Sequence, residues 1–271
     1  MASTSFQDNS IKTLDLLFST FHRLKHLLKS KGANGIHSPF VFDFYFQVLN
    51  HPYNFYAFQE VEEERDKLLD NDAVLEYQDL GAKKQLVRAK ISHLAGKSLM
   101  PEEKNVFLFQ LSHWLKPKVI VELGTCLGIT TAYLAKAYPS KIFTFEGIPS
   151  IAEEAYKVWD NLQITTIELI EGRIETTLSN FLTGLKSPVD LAVIDANHSY
   201  EATISNYELL QTKMSEIGCI VLDDIYWSKE MAAAWHEIIL KPEVTVSIDL
   251  YHLGLVFFRK ESEKEHFNIH W

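Results

Sequence analysis

The run from Lys118 to Gly128, Lys-Val-Ile-Val-Glu-Leu-Gly-Thr-Cys-Leu-Gly, decides how this chain is read. Val119, Ile120 and Val121 are β-branched in succession, which suits a buried strand. An acid follows, Glu122, and then two glycines, Gly124 and Gly128. Thr130, Thr131, Ala132, Tyr133 and Leu134 continue at helical spacing. A strand that ends in a glycine turn and opens a helix presents backbone N–H groups to a ligand.

Downstream of Lys118 the same rhythm repeats. Strand candidates are Val119–Leu123, Lys141–Glu146, Ile164–Glu171, Leu191–Asp195 and Cys219–Asp223. Between and after them lie helix candidates at Thr130–Ala137, Ile151–Asn161, Ile174–Leu185, Tyr200–Lys213 and Lys229–Leu240. Val244–Leu250 and Leu255–Arg259 have only a short connection between them, which suits an antiparallel hairpin at a sheet edge. The expected fold is therefore α/β: a Rossmann-like three-layer sandwich around a mostly parallel seven-stranded sheet, closed by a C-terminal antiparallel hairpin.

Upstream the pattern is different, and residues 1–100 are expected to form an N-terminal helical extension to a domain at 101–271. Ser10–Lys31 reads as an amphipathic helix, with Leu14, Leu17, Phe18, Phe21, Leu24 and Leu28 on one face. His22, Arg23, Lys25, His26, Lys29 and Lys31 make the other face basic, either solvated or turned to an acidic partner or membrane surface. Phe40–Tyr56 is dense in aromatics and argues for burial under a domain or at a subunit contact. His37 sits in a Pro turn, as a structural hydrogen-bonder or a residue that reaches an active site. Asp79–Lys97 holds a second basic cluster, including Lys83, Lys84, Arg88 and Lys90, which is exposed charge or an approach for an anionic substrate. Pro101, Glu102 and Glu103 open a further helix, with acids at the positive end of its dipole.

Composition narrows the classes. The 271 residues are 46% hydrophobic and 23% charged, with a net charge of −10, as expected of a soluble globular chain. An acidic chain is a poor general binder of nucleic acid, whose affinity rests on neutralised phosphates. Two cysteines, Cys126 and Cys219, form no C-x-x-C pair and read as reduced thiols. The N-terminal residues show no signal-peptide pattern, and no apolar run reaches membrane-spanning length, so a cytoplasmic location without membrane insertion is expected.

In open α/β sheets, ligands bind beyond the carboxyl ends of the strands. Those ends carry Glu122, Gly124, Thr125 and Gly128, then Glu146 and Gly147, Gly172 and Arg173, Asp195 to His198, and Asp223 with Asp224. Glu146 follows the glycine turn at the distance where an acid accepts hydrogen bonds from ribose hydroxyls. A dinucleotide fingerprint would need glycine where Cys126 stands. Glu122 before the turn disfavours a phosphate and suits a cation. Together these features point to a positively charged nucleoside.

Glu122-Leu123-Gly124-Thr125 with Gly128, Glu146, Asp195 and the antiparallel end resemble class I S-adenosylmethionine (SAM)-dependent methyltransferases, over roughly Pro101 to Lys260. Within them the chain is most similar to the small-molecule O-methyltransferases of the catechol, caffeoyl-CoA and macrolide-sugar types. Gly35–Phe40 and Gly254–Lys260 also resemble a methyltransferase group of Bacteroidetes-type bacteria. The resemblance implies SAM as cofactor, with Glu122 among its binding residues and Gly124, Thr125 and Gly128 against its methionine part. It places Glu146 and Gly147 at the ribose, Gly172 and Arg173 at the adenine, and Asp195 near the amino end.

In the metal-dependent branch the same acid joins a later acidic pair, so Asp195, Asp223 and Asp224 become candidate ligands for Mg²⁺ or another divalent cation. His198 stands where the catechol enzymes carry a catalytic lysine, and with Asp195 it is the candidate catalytic pair. Asp223 and Asp224 also suit a plain helix-capping role. Tyr226 and Trp227 read as substrate-pocket walls or as packing, and Trp235 and His236 as packing. The expected activity is O-methylation of a small-molecule hydroxyl. The alternatives are methylation of a nitrogen on RNA or protein, or a non-catalytic cofactor- or partner-binding module. The extension is expected to act as a lid or as a homodimer contact.

Overall fold

In the computed structural model, residues 18, 20–30, 32, 35–50, 55–78 and 85–271 are described. Leu14, Leu17, Lys31, Tyr53, Lys83 and Lys84, named above, lie outside them. Residues 20–29 are helical (α1). Then follow α2 (Pro39–Phe44), continuing into a wide turn at Tyr45–Leu49, α3 (Tyr56–Leu69), β1 (Val74–Gln78), β2 (Leu86–Lys90), α4 (Ile91–Ser98) and α5 (Glu102–Leu115). The alternating part runs β3 (Val119–Leu123), α6 (Ile129–Ala137), β4 (Lys141–Glu146), α7 (Pro149–Asn161), β5 (Ile167–Glu171), α8 (Ile174–Gly184) and β6 (Val189–Ile194). It continues with α9 (Tyr200–Gln211), β7 (Met214–Asp223), α10 (Lys229–Leu240), β8 (Val246–Asp249), β9 (Leu253–Phe257) and β10 (Glu265–Asn268).

Eight strands form the main sheet, in the order β10-β8-β9-β7-β6-β3-β4-β5. β3 pairs in parallel with β4, and β4 with β5; β9 runs antiparallel to both β7 and β8. The chain steps outward from β3 to β4 and β5 and resumes at β6 on β3's other side, so the strand order reverses beside β3. Such a reversal is where α/β sheets open a ligand crevice. The expected Rossmann-like fold is present, with one strand more than the pattern suggested. β10 pairs in parallel with β8, so the β8–β9 hairpin is not the sheet edge. Its sequence, Glu265-His266-Phe267-Asn268, lacks the apolar run that marks a central strand because it lies at the rim.

The extension is not wholly helical. β1 and β2 form a separate antiparallel ribbon, pairing Val74 with Lys90 and Gln78 with Leu86. Its burial alternates residue by residue, a period-2 signal that its many charges concealed.

By contact the chain divides into two compact units, and the division does not fall at residue 100. One is Asp43–Ala192; the other joins the described residues up to Phe42 with Val193–Trp271. In the first, Phe58, Phe109, Leu127, Ile129, Tyr133, Ala155 and Trp159 share a core, uniting α3, α5, α6, α7 and the glycine turn. Burying side chains of this size stabilises by roughly 1.5–3 kcal/mol each before entropy is counted. In the second, Trp235 is fully buried against Gly254, where any Cβ would meet the indole at 2.8 Å. The aromatic stretch is divided: Phe44 is buried, whereas Phe42, Phe46 and Tyr56 are exposed.

Candidate cofactor site

In the Asp43–Ala192 unit, β3 is buried throughout and ends in a turn with three left-handed residues, Gly124 (φ 104°), Cys126 (φ 50°) and Gly128 (φ 81°). The turn is tied to the next strand: the Gly124 and Thr125 amides both donate to the Phe145 carbonyl, at 3.2 and 3.0 Å. Gly128 has a packing reason to be glycine. A Cβ there would lie 2.7 Å from Trp159 Nε1, and that indole N–H donates to the Gly128 carbonyl at 2.9 Å.

Glu146 at the end of β4 clamps this turn. One carboxylate oxygen accepts the Cys126 N–H at 3.0 Å and the other the Ile148 N–H at 2.9 Å. A carboxylate has four lone pairs, so acceptor capacity remains for a ligand hydroxyl. Burial raises the Glu146 pKa, opposed by the N–H groups of Ile148, Cys126 and Gly147. Gly172 (φ 118°) donates its N–H to the Glu146 carbonyl, which brings the end of β5 alongside. Arg173 is exposed and stands 3.5 Å from Glu175.

Glu122 differs from its expected place as a ligand-facing charge. It is 1% exposed, and Oε2 accepts the hydroxyls of Thr131 at 2.5 Å and Thr144 at 2.6 Å. Oε1 is buried without a partner. Burial pushes its pKa up to about 7, so at neutral pH the carboxyl is near half-protonated. Its repulsion of a phosphate is correspondingly weaker than a full charge beside the turn would give. Its evident work is to join β3, β4 and α6. Gly124, Thr125, Gly128, Glu146, Gly147 and Gly172 are thus gathered at one end of β3, β4 and β5, with Arg173 at the start of α8.

In the other unit, Asp195 follows β6 and lies 3.6 Å from His198 Nε2, with both side chains partly open to solvent. Asn197 between them takes a left-handed φ of 47°, and Ser199 caps α9 by accepting the Ala202 N–H. Asp223 is buried at the end of β7, and Asp224 is left-handed (φ 51°) with its N–H on the His252 carbonyl.

The metal reading of Asp195, Asp223 and Asp224 does not fit this arrangement. Among the described residues no three His, Cys, Asp or Glu side chains converge as a metal site. Asp223 is buried at the strand end, whereas Asp224 follows it in a left-handed turn.

His37 is exposed. Tyr226 is buried and donates its hydroxyl to Asp249 at 2.6 Å, whereas Trp227 is exposed. The basic residues of the ribbon are paired, Arg88 with Glu76 and Lys90 with Asp72. Sequence reasoning missed Asp249. It sits 1% exposed at the end of β8, where its carboxylate accepts from Tyr226, Trp235, the Tyr251 N–H and His26. A single acid after Val246-Ser-Ile carries no signal that four donors will reach it from distant positions.

Residues 121–225 match the family described as Methyltransferase domain. That match spans β3 to the start of the β7–α10 connection, which is the glycine turn, Glu146, Asp195 and the acidic pair. No curated protein sequence matches the chain. Among solved structures, the SAH-bound Podospora anserina methyltransferase PaMTH1 is similar at 15% identity and a TM-score of 0.58, over 79% of this chain and 93% of that one. The O-methyltransferase TomG from Streptomyces achromogenes, in complex with SAM, is similar at 16% identity and 0.56, over 80% and 95%. The SAH complex of the Bacillus cereus O-methyltransferase is similar at 14% and 0.56, over 78% and 95%. At these identities the likeness is one of fold.

Proposed function

We propose that the chain is a SAM-dependent methyltransferase acting on an oxygen of a small-molecule acceptor. The observation that carries this reading is the Glu146 carboxylate, fixed by backbone N–H groups of the glycine turn and the β4–α7 link while keeping acceptor capacity for a ligand. That is an acceptor pair prepared for a ribose diol. The family match over residues 121–225 and the SAM- and SAH-bound structural relatives support the same cofactor.

When bound, SAM supplies an electrophilic methyl carbon on a sulfonium sulfur. Gly124, Thr125 and Gly128 would line its methionine part and Gly172 its adenine. His198, held near Asp195, would take the proton of the acceptor hydroxyl as its oxygen attacks the methyl carbon. Removal of that proton by His198 would keep the transfer charge-balanced. The protein's larger contribution is to align oxygen, carbon and sulfur.

A small acceptor is favoured over nucleic acid by the net charge of −10 and by the paired bases of the ribbon. A cytoplasmic location, a self-associating or acceptor-side role for residues 1–100, and the narrower kinship with the Bacteroidetes-type group belong to this reading.

The test is calorimetry with S-adenosylhomocysteine (SAH) and, separately, NAD. SAH binding without NAD binding is expected; no SAH binding at high micromolar concentration sinks the proposal. Once an acceptor is in hand, His198→Asn should slow transfer by roughly 10²–10⁴-fold and remove the neutral-pH limb of the rate profile. An unchanged profile would take the base role away from His198.

A further inference from the structure

α1 is packed the opposite way from the amphipathic reading. Phe21, Leu24 and Leu28 are exposed, Leu28 at 81%, while His26 on the opposite row is buried at 6%. His22, Lys25, His26 and Lys29 recur at three- and four-residue steps and so share one face. That face lines a cavity of about 210 Å³ within the second unit, closed by His236 from α10, His266 from β10 and Tyr226. None of the residues assigned to the cofactor lines it.

Of this row only His26 is buried, and a buried base needs a partner inside; Lys25 and Lys29 line the cavity while staying exposed. His22 Nδ1 stands 3.0 Å from the Phe18 carbonyl, and the buried His26 is held more fully. His26 donates from Nε2 to Asp249, 2.9 Å from its carbonyl and 3.2 Å from its carboxylate. The Ser30 hydroxyl gives its hydrogen to the His26 carbonyl at 2.7 Å, so its oxygen is left to accept from His26 Nδ1 at 3.0 Å. Both ring nitrogens then carry hydrogen, and His26 is the cation that Asp249 neutralises. The remaining Asp249 valences are taken by Tyr226, Trp235 and the Tyr251 N–H.

Lys25 and Lys29 have no acidic partner among the described residues. Their charge is felt across the cavity: loss of water first, then Lys25, His22 and Lys29, hold the His236 pKa below the ordinary imidazole range. In a chain of net charge −10, Lys25 and Lys29 place positive charge beside a small concavity that α10 and β10 complete with imidazoles.

We propose that this cavity binds a phosphate group, carried by a soluble phosphate monoester or by a phospholipid headgroup. A dianionic oxyanion offers several acceptor oxygens to donors that arrive from α1, α10 and β10 together, which a single carboxylate does less well. The metal alternative is disfavoured by geometry, since no three of these side chains converge as ligands.

The experiment titrates the full chain with inorganic phosphate and with phenyl phosphate at constant ionic strength, by calorimetry. The double variant Lys25→Gln/Lys29→Gln and the single variant Lys186→Gln, an exposed lysine elsewhere, are run beside it. Saturable binding with a Kd on the order of 1 mM or tighter is expected. It should weaken by about tenfold or more in the double variant and stay unchanged in Lys186→Gln. No binding above that of chloride, or an equal loss in Lys186→Gln, overturns the site. A second arm sediments the protein with phosphatidylcholine vesicles, with and without phosphatidic acid. Vesicle binding that needs phosphatidic acid, needs the two lysines and is competed by phosphate supports the site and assigns the source to lipid. Vesicle binding that survives Lys25→Gln/Lys29→Gln but is lost in Leu24→Gln/Leu28→Gln overturns it in favour of an apolar membrane contact by α1.

Discussion

Replacing Glu146 by glutamine probes the cofactor site with nearly constant volume. In the native protein the two carboxylate oxygens accept the Cys126 and Ile148 amides at 3.0 and 2.9 Å. Glutamine offers one oxygen and one NH₂, so one of those amides faces another donor. Hydrogen bonds to a charged acceptor contribute about 1.5–3 kcal/mol, and a buried donor left unpaired costs a similar amount. The free protein should therefore lose about 2 kcal/mol of stability, visible as a lower urea midpoint. The ribose diol loses one of its two acceptors as well, a further loss of about 1.5–3 kcal/mol, or roughly 10–100-fold in Kd. Calorimetry with SAH reads the second effect and denaturation the first. Retention of SAH affinity within about threefold would refute the ribose assignment, whatever happened to stability. Weakened affinity with an unchanged midpoint would instead refute the clamp on the glycine turn. Because burial raises the Glu146 pKa, wild-type affinity should also begin to fall at a higher pH than an exposed glutamate would dictate.

Gly128→Ala places a methyl 2.7 Å from Trp159 Nε1 at a φ of 81°, and a loss of about 2–4 kcal/mol in denaturant stability is expected; Gly184→Ala, with nothing within 4 Å, should stay within about 0.5 kcal/mol. Glu122 has a folded pKa of about 7 against 4.5, so its protonated form stabilises the fold below pH 4.5 and that contribution is lost as pH rises through 7. Glu122→Gln should therefore gain on wild type by up to about 3 kcal/mol between pH 5 and pH 8, and a pH-independent difference would contradict the burial argument. Asp249→Asn leaves His26 charged and buried without its counter-ion, at a cost of about 3–5 kcal/mol near pH 5.5. Burial works to raise the Asp249 pKa, but donors from His26, Tyr226 and Tyr251 outweigh it and hold it below 3.8. Burial likewise works to lower the His26 pKa, and its bonds to Asp249 raise it above 6.5. The Asp249 contribution is thus present above pH 3.8 and lost below its folded pKa. The His26 contribution is complete below pH 6.5 and lost as pH rises past its folded pKa. Thermal melts should show the variant's deficit largest between those limits.

Strand, turn and helix at Lys118–Gly128, the β/α alternation and the acid at Glu146 were legible in the sequence alone. Each is a local pattern of burial period, glycine conformation or spacing, and local patterns survive in one dimension. The order of the strands confirmed that reading and added β10, whose rim position leaves no apolar signature. The β1–β2 ribbon was hidden for a related reason: on a half-exposed ribbon, charges alternate where apolar residues would have announced a strand.

What only the tertiary structure decided was where charge ends up. Glu122, expected to face the ligand, is enclosed by Thr131 and Thr144, because the two strands and a helix that meet around it are set by packing. Among the described residues, the acids expected to share a metal form no group of three that could hold one. His26, on the basic row of α1, turns inward to Asp249, 223 positions away in the chain. Periodicity says that a helix has two faces. Which face is buried depends on what the other elements present to it, and that is settled by long-range contacts a linear pattern does not contain.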